Sequence, residues 1–116
     1  MWYQTIGRQD FILRIKRGEL IIASLKNFCH KKKIFGGLFF GLGAVDEVEL
    51  AHYDVSSKKY SSKKFDQPLE MTNLIGNIAI FKKELILHAH ATFSDRKMAP
   101  IAGHLVEAKI SGTAEV

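Results

Sequence analysis

The sequence is poor in cysteine and proline, and none of its apolar segments is long enough to cross a membrane. It contains one cysteine and two prolines. Because Cys29 stands alone, the chain can form neither an internal disulfide nor a cysteine-rich zinc site. The most apolar stretch, residues 34–45, is interrupted by glycines and falls short of the ~20 residues that span a bilayer. The N-terminal residues show no signal-peptide pattern, so we expect a cytoplasmic protein without a membrane partner.

The remaining composition is that of a globular protein. Of the 116 residues, 47% are hydrophobic and 25% are charged, which is ordinary for a folded domain and excludes a disordered chain. This length predicts one domain over residues 1–116. Because residues 113–116 fall inside an apparent strand, we expect either that this strand is docked against a neighbour or that a short C-terminal segment is lacking.

Residue patterns predict an α+β fold with a mainly antiparallel sheet and one long helix. Residues 10–16 alternate between apolar and polar side chains, which is typical of a half-buried strand. A helix is predicted from Gly18 to Lys32, because Ile21, Leu25 and Phe28 form one apolar stripe that Cys29 extends. Further strands are predicted at residues 34–42, 45–53, 58–65, 69–74, 78–81, 85–93 and 110–116.

The most informative motif is His88-Ala89-His90, followed by His104. Side chains two apart on a strand point to the same face, so His88 and His90 can converge on one ion. A third histidine from a neighbouring strand would complete a three-histidine site with an open coordination position. The alternative is that these are polar residues on a half-solvated sheet face.

The chain carries a formal charge of +5, and its lysines occur in short clusters. Such clusters are one mark of a nucleic-acid-binding surface, although solvated loops and strand edges carry lysine pairs as well. The first cluster also suits the negative end of the predicted helix. The candidate phosphate contacts are Lys31, Lys32, Lys33, Lys58, Lys59, Lys63 and Lys64.

Three further features receive structural or supporting roles. Gly36 and Gly41 have the spacing of a phosphate-binding loop, but the required lysine is replaced by Leu42, so we expect these glycines to allow close packing or a bulge. Cys29 belongs to the apolar stripe and is predicted to be a core residue. Glu70 and Glu115 are candidates to face the histidines as supporting carboxylates, with surface salt bridges as the alternative.

Taken in order, several motifs resemble the plants and prokaryotes conserved domain family, abbreviated PPC or PCC. The resemblance runs from about Tyr3 to Val116. The motifs are residues 14–19 before the helix, 41–45 in the glycine-rich strand, Tyr60, 69–70, 74–78, 87–92, 102–106 and 113–116.

The resemblance implies an α+β domain that assembles as a homotrimer and holds a metal ion, expected to be zinc, at His88, His90 and His104. It also implies a DNA-associated regulatory role with weak sequence specificity. A metal-dependent hydrolase or lyase, or a small-molecule binder using the same histidines, is the alternative. No Arg-Gly-Arg-Pro AT-hook is present, and only Glu70 remains of the plant partner-binding signature at residues 67–72, so plant-type DNA and partner binding does not transfer.

Overall fold

The computed structural model describes all 116 residues, which form one antiparallel six-stranded sheet and one helix. This architecture confirms the predicted α+β class with a mainly antiparallel sheet. The elements are β1 (Trp2–Ile6), β2 (Asp10–Lys16), α1 (Ile21–Lys32), β3 (Gly37–Asp54), β4 (Lys59–Phe81), β5 (Glu84–Ser94) and β6 (Pro100–Glu115).

The sheet closes on itself through four of its strands. The strand order is β1-β2-β6-β3-β4-β5, and β6 also pairs with β5. Strands β3, β4, β5 and β6 therefore form a ring, to which β2 and β1 are added at the far end of β6. The β5–β6 pairing is brief, running from His90 opposite His104 to Ser94 opposite Pro100. This closure brings strands distant in sequence side by side.

Helix α1 packs against β5 and β6. Its buried residues are the predicted stripe of Ile21, Leu25, Phe28 and Cys29, which confirms the core role of the cysteine. The helix has 12 residues, about the mean length in globular proteins, so the predicted long helix is wrong. It begins later than expected because Leu20 is extended and pairs with β6. No helix of the protein has the length and apolarity needed to cross a lipid bilayer.

The N-terminus of α1 is capped by a residue from the sheet. Leu20, at the N-cap position, has no side-chain oxygen, and the first helical turn carries no acidic residue. Instead, the carboxylate of Glu107 accepts hydrogen bonds from the backbone N–H groups of Ile22 and Ala23, at 2.8 and 3.0 Å. Free N–H groups at a helix start need such acceptors, so Glu107 fastens the helix to β6.

Strands β3 and β4 are continuous where the sequence predicts breaks. The predicted strands at residues 34–42 and 45–53 belong to the single 18-residue β3, and three further predicted segments merge into the 23-residue β4. Bulges between Gly41 and Gly43 and between Val45 and Glu47 absorb the irregular sequence. Pro68 lies opposite the second bulge, where a missing N–H does not interrupt the ladder.

The hydrophobic core combines side chains of the ring with side chains of β2 and α1. Its largest fully buried side chains are Phe93, Ile15, Ile21, Met71, Leu74, Ile110 and Val45. At Gly43, a Cβ atom would lie 2.8 Å from the Cα of Ala114, a distance that real side chains do not adopt. This glycine therefore permits the close approach of β6 to β3.

Candidate metal centre

Strand β5 presents two histidines on its outer face. Residues alternate along a strand between its two faces, and Ala89 and Ala91 point into the core. His88 and His90 consequently point outward and are exposed. Their ring centroids lie 5.1 Å apart. The His-x-His prediction is therefore realised as two neighbouring imidazoles on one surface.

Sheet closure supplies the third histidine. His104 on β6 pairs directly with His90 on β5, and its ring centroid lies 5.1 Å from that of His88 and 5.7 Å from that of His90. One potential ligand atom from each of the three side chains lies within 4.8 Å of the other two. The structure thus brings together the three predicted metal-binding residues.

The chemistry of this donor set fits a transition-metal ion. Nitrogen ligands about 2.0–2.1 Å from a tetrahedral zinc ion lie ~3.3 Å from one another, so small rotations of the three rings would complete the site. Burial, and after it the charges of His88 and His90, lower the pKa of His104 below the usual histidine value. The neutral imidazole is the form that coordinates metals, so the lowered pKa favours binding.

The histidines open onto a cavity of about 640 Å³. On one side the ring of Tyr60 lies tilted against that of His104, with centroids 5.6 Å apart, and the ring centroid of Tyr53 lies 4.8 Å from that of Tyr60. No aspartate or glutamate lines the cavity, and none of the side-chain hydrogen bonds in the chain involves the three histidines. The lining residues are Ala51, His52, Tyr53, Tyr60, Asn73, Ile75, His88, His90, Ala91, Thr92, Ala102, Gly103 and His104.

The two tyrosines are functional candidates that the sequence analysis did not assign to the site. Tyr53 and Tyr60 pair across the β3–β4 hairpin. Residues 52–61 of this hairpin, here called the β3–β4 arm, pair only with each other, because the β3–β6 ladder ends at Ala51 opposite His104. The gap at residues 54–57 between the predicted strands 45–53 and 58–65 is the signal from which this cross-strand pair can be deduced.

The two proposed supporting carboxylates lie elsewhere. Glu70 is exposed and lines a second, polar cavity of about 580 Å³ together with Asp95, Arg96 and Lys97. Glu115 is exposed at the end of β6 that pairs with β2 and β3. Neither residue lines the histidine cavity, so the structure contains no contact through which either would support a metal ligand.

The predicted lysine clusters do not form one surface. Lys31, Lys32 and Lys33 lie at the C-terminal end of α1, close in sequence to Gly37, which pairs with Ile78. Lys58, Lys59, Lys63 and Lys64 belong to the opposite end of the β3–β4 ladder, where Asp54 pairs with Lys59. The chain therefore presents two separate basic regions.

Comparisons with known proteins identify the fold and the family. The sequence profile of the Plants and Prokaryotes Conserved (PCC) domain matches residues 4–116. A structure from Bacteroides thetaiotaomicron, described as a presumed DNA-binding protein, is 33% identical with a TM-score of 0.94, over 98% of this chain and 79% of that one. A plant- and prokaryote-conserved protein from Pyrococcus horikoshii is 28% identical with a TM-score of 0.85, over 90% and 72% of the two chains.

A structure from Archaeoglobus fulgidus, described as a metal-containing protein, shares the fold. It is 23% identical with a TM-score of 0.87, over 99% of this chain and 81% of that one. No protein with a curated description matches the sequence significantly.

Proposed function

Since the chain belongs to the Plants and Prokaryotes Conserved domain family, we propose that it is a metal-binding module of that family. His88, His90 and His104 hold one divalent ion, and zinc is the ion that we expect, because imidazole suits it and three histidines are a known zinc ligand set. The observation that carries the proposal is the convergence of three imidazoles within 4.8 Å. The metal-containing protein from Archaeoglobus fulgidus has the same fold.

The surroundings of the histidines favour binding over catalysis. A zinc ion with three protein ligands supplies Lewis acidity at its open fourth position, which hydrolases and lyases exploit. Such chemistry also needs a general base within hydrogen-bonding reach. No carboxylate lines the cavity, and His52 is its one imidazole outside the proposed metal-binding set. We therefore place the metal-dependent enzyme second to the binding module.

Metal analysis of the untagged protein tests the proposal. We expect about one zinc ion per chain after dialysis against zinc. His90→Ala removes a ligand from the exposed β5 face. Loss of a residue that only hydrogen-bonds a metal ligand weakens metal binding by up to roughly 100-fold, so we expect loss of the ligand itself to weaken zinc binding by more than that. His30→Ala, on the exposed face of α1, is the matched control and should bind normally. A wild-type protein that binds no zinc would refute the proposal.

We further propose that the module is a homotrimer. The outer face of β3 carries Leu38, Phe40 and Leu42, which are 81%, 75% and 56% exposed. A contiguous apolar patch of this kind marks an interaction surface. Light scattering after size exclusion should give three times the chain mass. Phe40→Lys should yield folded monomers, whereas a monomeric wild-type protein would contradict the trimer.

A second candidate function is weak, salt-sensitive binding to DNA. The 33% identical Bacteroides structure is described as a presumed DNA-binding protein, and the β3–β4 arm is a two-stranded ribbon with Lys58 and Lys59 at its tip. Two-stranded ribbons fit the major groove, and Lys63 and Lys64 follow on β4. Trimer formation would multiply the charge of +5 per chain and strengthen binding to phosphates.

Charge reversal at the two basic regions tests this candidate. Lys58→Glu with Lys59→Glu should abolish the mobility shift of a DNA duplex at low salt. Lys31→Glu with Lys33→Glu changes the charge equally at the other end and should have a smaller effect. Lys32 is left unchanged because its ammonium lies 4.3 Å from the Tyr3 ring centroid. No shift with the wild-type protein at low salt would exclude the candidate.

A further inference from the structure

The cavity beside the histidines has the features of a ligand site with a defined chemical preference. Three neutral imidazoles leave the double positive charge of a bound ion uncompensated. No carboxylate lines the cavity, and the chain as a whole is positively charged. A group that enters the open position is therefore favoured when it is negatively charged, because the protein supplies no anion of its own there.

The wall next to the histidines is aromatic and apolar. Tyr60 lies between His104 and Tyr53, with ring centroids 5.6 and 4.8 Å from theirs, and it is 62% exposed. Ile75, which pairs with His90 in the β4–β5 ladder, adds an exposed aliphatic side chain. Aromatic rings stack favourably on planar groups in offset or edge-to-face arrangements. The wall thus suits the planar part of a ligand whose charged end lies at the histidines.

Two further lining groups are polar but uncharged. Asn73 and Thr92 pair across β4 and β5 and line the same cavity. They can donate and accept hydrogen bonds, which would orient a ligand without repelling an anion. A cavity of about 640 Å³ is within the range of small-molecule sites, so it has room for a single-ring compound.

We infer that this cavity binds a small anionic ligand with a planar ring, its carboxylate at the histidine site and its ring against Tyr60 and Tyr53. The inference rests on the proposed metal site. Aromatic carboxylates represent this class, and benzoate is its simplest probe. Acetate carries the same charged group without the ring, and benzylammonium carries the ring with the opposite charge.

The experiment uses untagged protein loaded with cobalt(II), whose visible absorption reports changes at the metal. Metal content is measured first, and benzoate, acetate and benzylammonium are then titrated separately. We expect benzoate to bind about fivefold more tightly than acetate, since one aromatic contact contributes a factor of roughly 2–12. Benzylammonium should leave the spectrum unchanged.

Variants separate the ring contact from the charge. Tyr60→Ala should reduce benzoate affinity about fivefold and leave acetate affinity unchanged, and Tyr60→Phe should preserve both. Phe81→Ala removes an equally exposed ring that does not line the cavity and is the matched control. If Tyr60→Ala does not fold, as judged by circular dichroism, Tyr53→Ala takes its place with the same expectation.

The outcomes distinguish the two proposals. Absence of bound cobalt overturns the metal site and, with it, the ligand inference. Bound cobalt with equal affinities for benzoate and acetate, or with benzoate binding unaffected by the tyrosine variants, overturns the ligand inference alone. Binding of benzylammonium in place of benzoate also overturns it, because the charge argument would then have the wrong sign.

Discussion

Replacing Gly76 by alanine should weaken the sheet directly behind the histidine cluster. Gly76 on β4 pairs with Ala89, the residue between His88 and His90 on β5. A Cβ atom at position 76 would lie 2.6 Å from the carbonyl oxygen of His88 and would overlap the ring of Phe39. The Phe39 ring can rotate, but the carbonyl oxygen belongs to the β5 backbone, so the two strands must separate.

The magnitude follows from two opposing effects. Overpacking of a well-filled interior costs about 1–3 kcal/mol, whereas alanine gains about 0.4–1 kcal/mol over glycine by restricting the unfolded chain. Because backbone must move, we take the upper part of the first range and expect a net loss of ~2 kcal/mol. Gly112→Ala is the matched control, since its nearest neighbour would be the Ala44 Cβ at 3.7 Å, an ordinary contact.

Urea denaturation of the metal-free variants measures this difference. We expect Gly112→Ala to be as stable as wild type or slightly more stable, and Gly76→Ala to be less stable than Gly112→Ala by ~2–3 kcal/mol. Zinc affinity should also fall in Gly76→Ala alone, because His88 shifts with its backbone. A difference in stability below about 0.5 kcal/mol would show that β5 moves freely and would refute the argument.

Three further predictions concern stability. Glu107→Ala removes both helix-capping hydrogen bonds and should lower the free energy of unfolding, measured in urea, by ~2 kcal/mol. Glu107→Gln should lower it by about half as much. Variants as stable as the wild-type protein would argue against the cap. Lys82 and Lys83 form the β4–β5 turn with φ angles of 49° and 66°, which strain residues that carry a side chain. Replacing both by Asn-Gly should therefore stabilise the protein by ~1 kcal/mol. Unchanged or lower stability would show that the two lysines are not strained. The backbone N–H of Lys16, first among several contacts, lowers the pKa of Glu19 below its usual value of 4.5. The stability that Glu19 contributes is thus fully present above pH 4.5 and is lost as the pH falls through the lowered pKa. Glu19→Gln should therefore make the loss of stability in acid less steep. A stability–pH curve with the same acid side as the wild-type curve would exclude this contribution of Glu19.

Much of the local structure could be predicted because it depends on neighbours in sequence. The apolar stripe of α1 and the alternation of β2 are periodic patterns, and both were confirmed. The turn at Lys82 and Lys83 falls in the gap between the predicted strands 78–81 and 85–93. The helix start was misplaced because Leu20 pairs with Lys109, a contact from the far end of the chain. Strand β1 was not predicted, because its exposed residues include both polar and apolar types and therefore show no alternation.

The length of the long strands could not be predicted, because bulges conceal it. Glycines, and prolines such as Pro68, usually mark the ends of strands in a sequence. In this fold Gly43 permits the close approach of β6, and Pro68 lies opposite a bulge. Their neighbours on adjacent strands decide whether the ladder continues, and those neighbours are distant in sequence.

The sequence by itself determined that His88 and His90 share a face, because the period of a strand is two. Only the tertiary structure decided that His104 joins them, since the β5–β6 pairing that closes the ring sets His104 opposite His90. The tertiary structure also places the lysine clusters apart, Glu70 and Glu115 away from the histidines, and Tyr60 beside His104. The direction of a side chain is a local property of the backbone, whereas the residues that the side chain contacts depend on how the sheet closes.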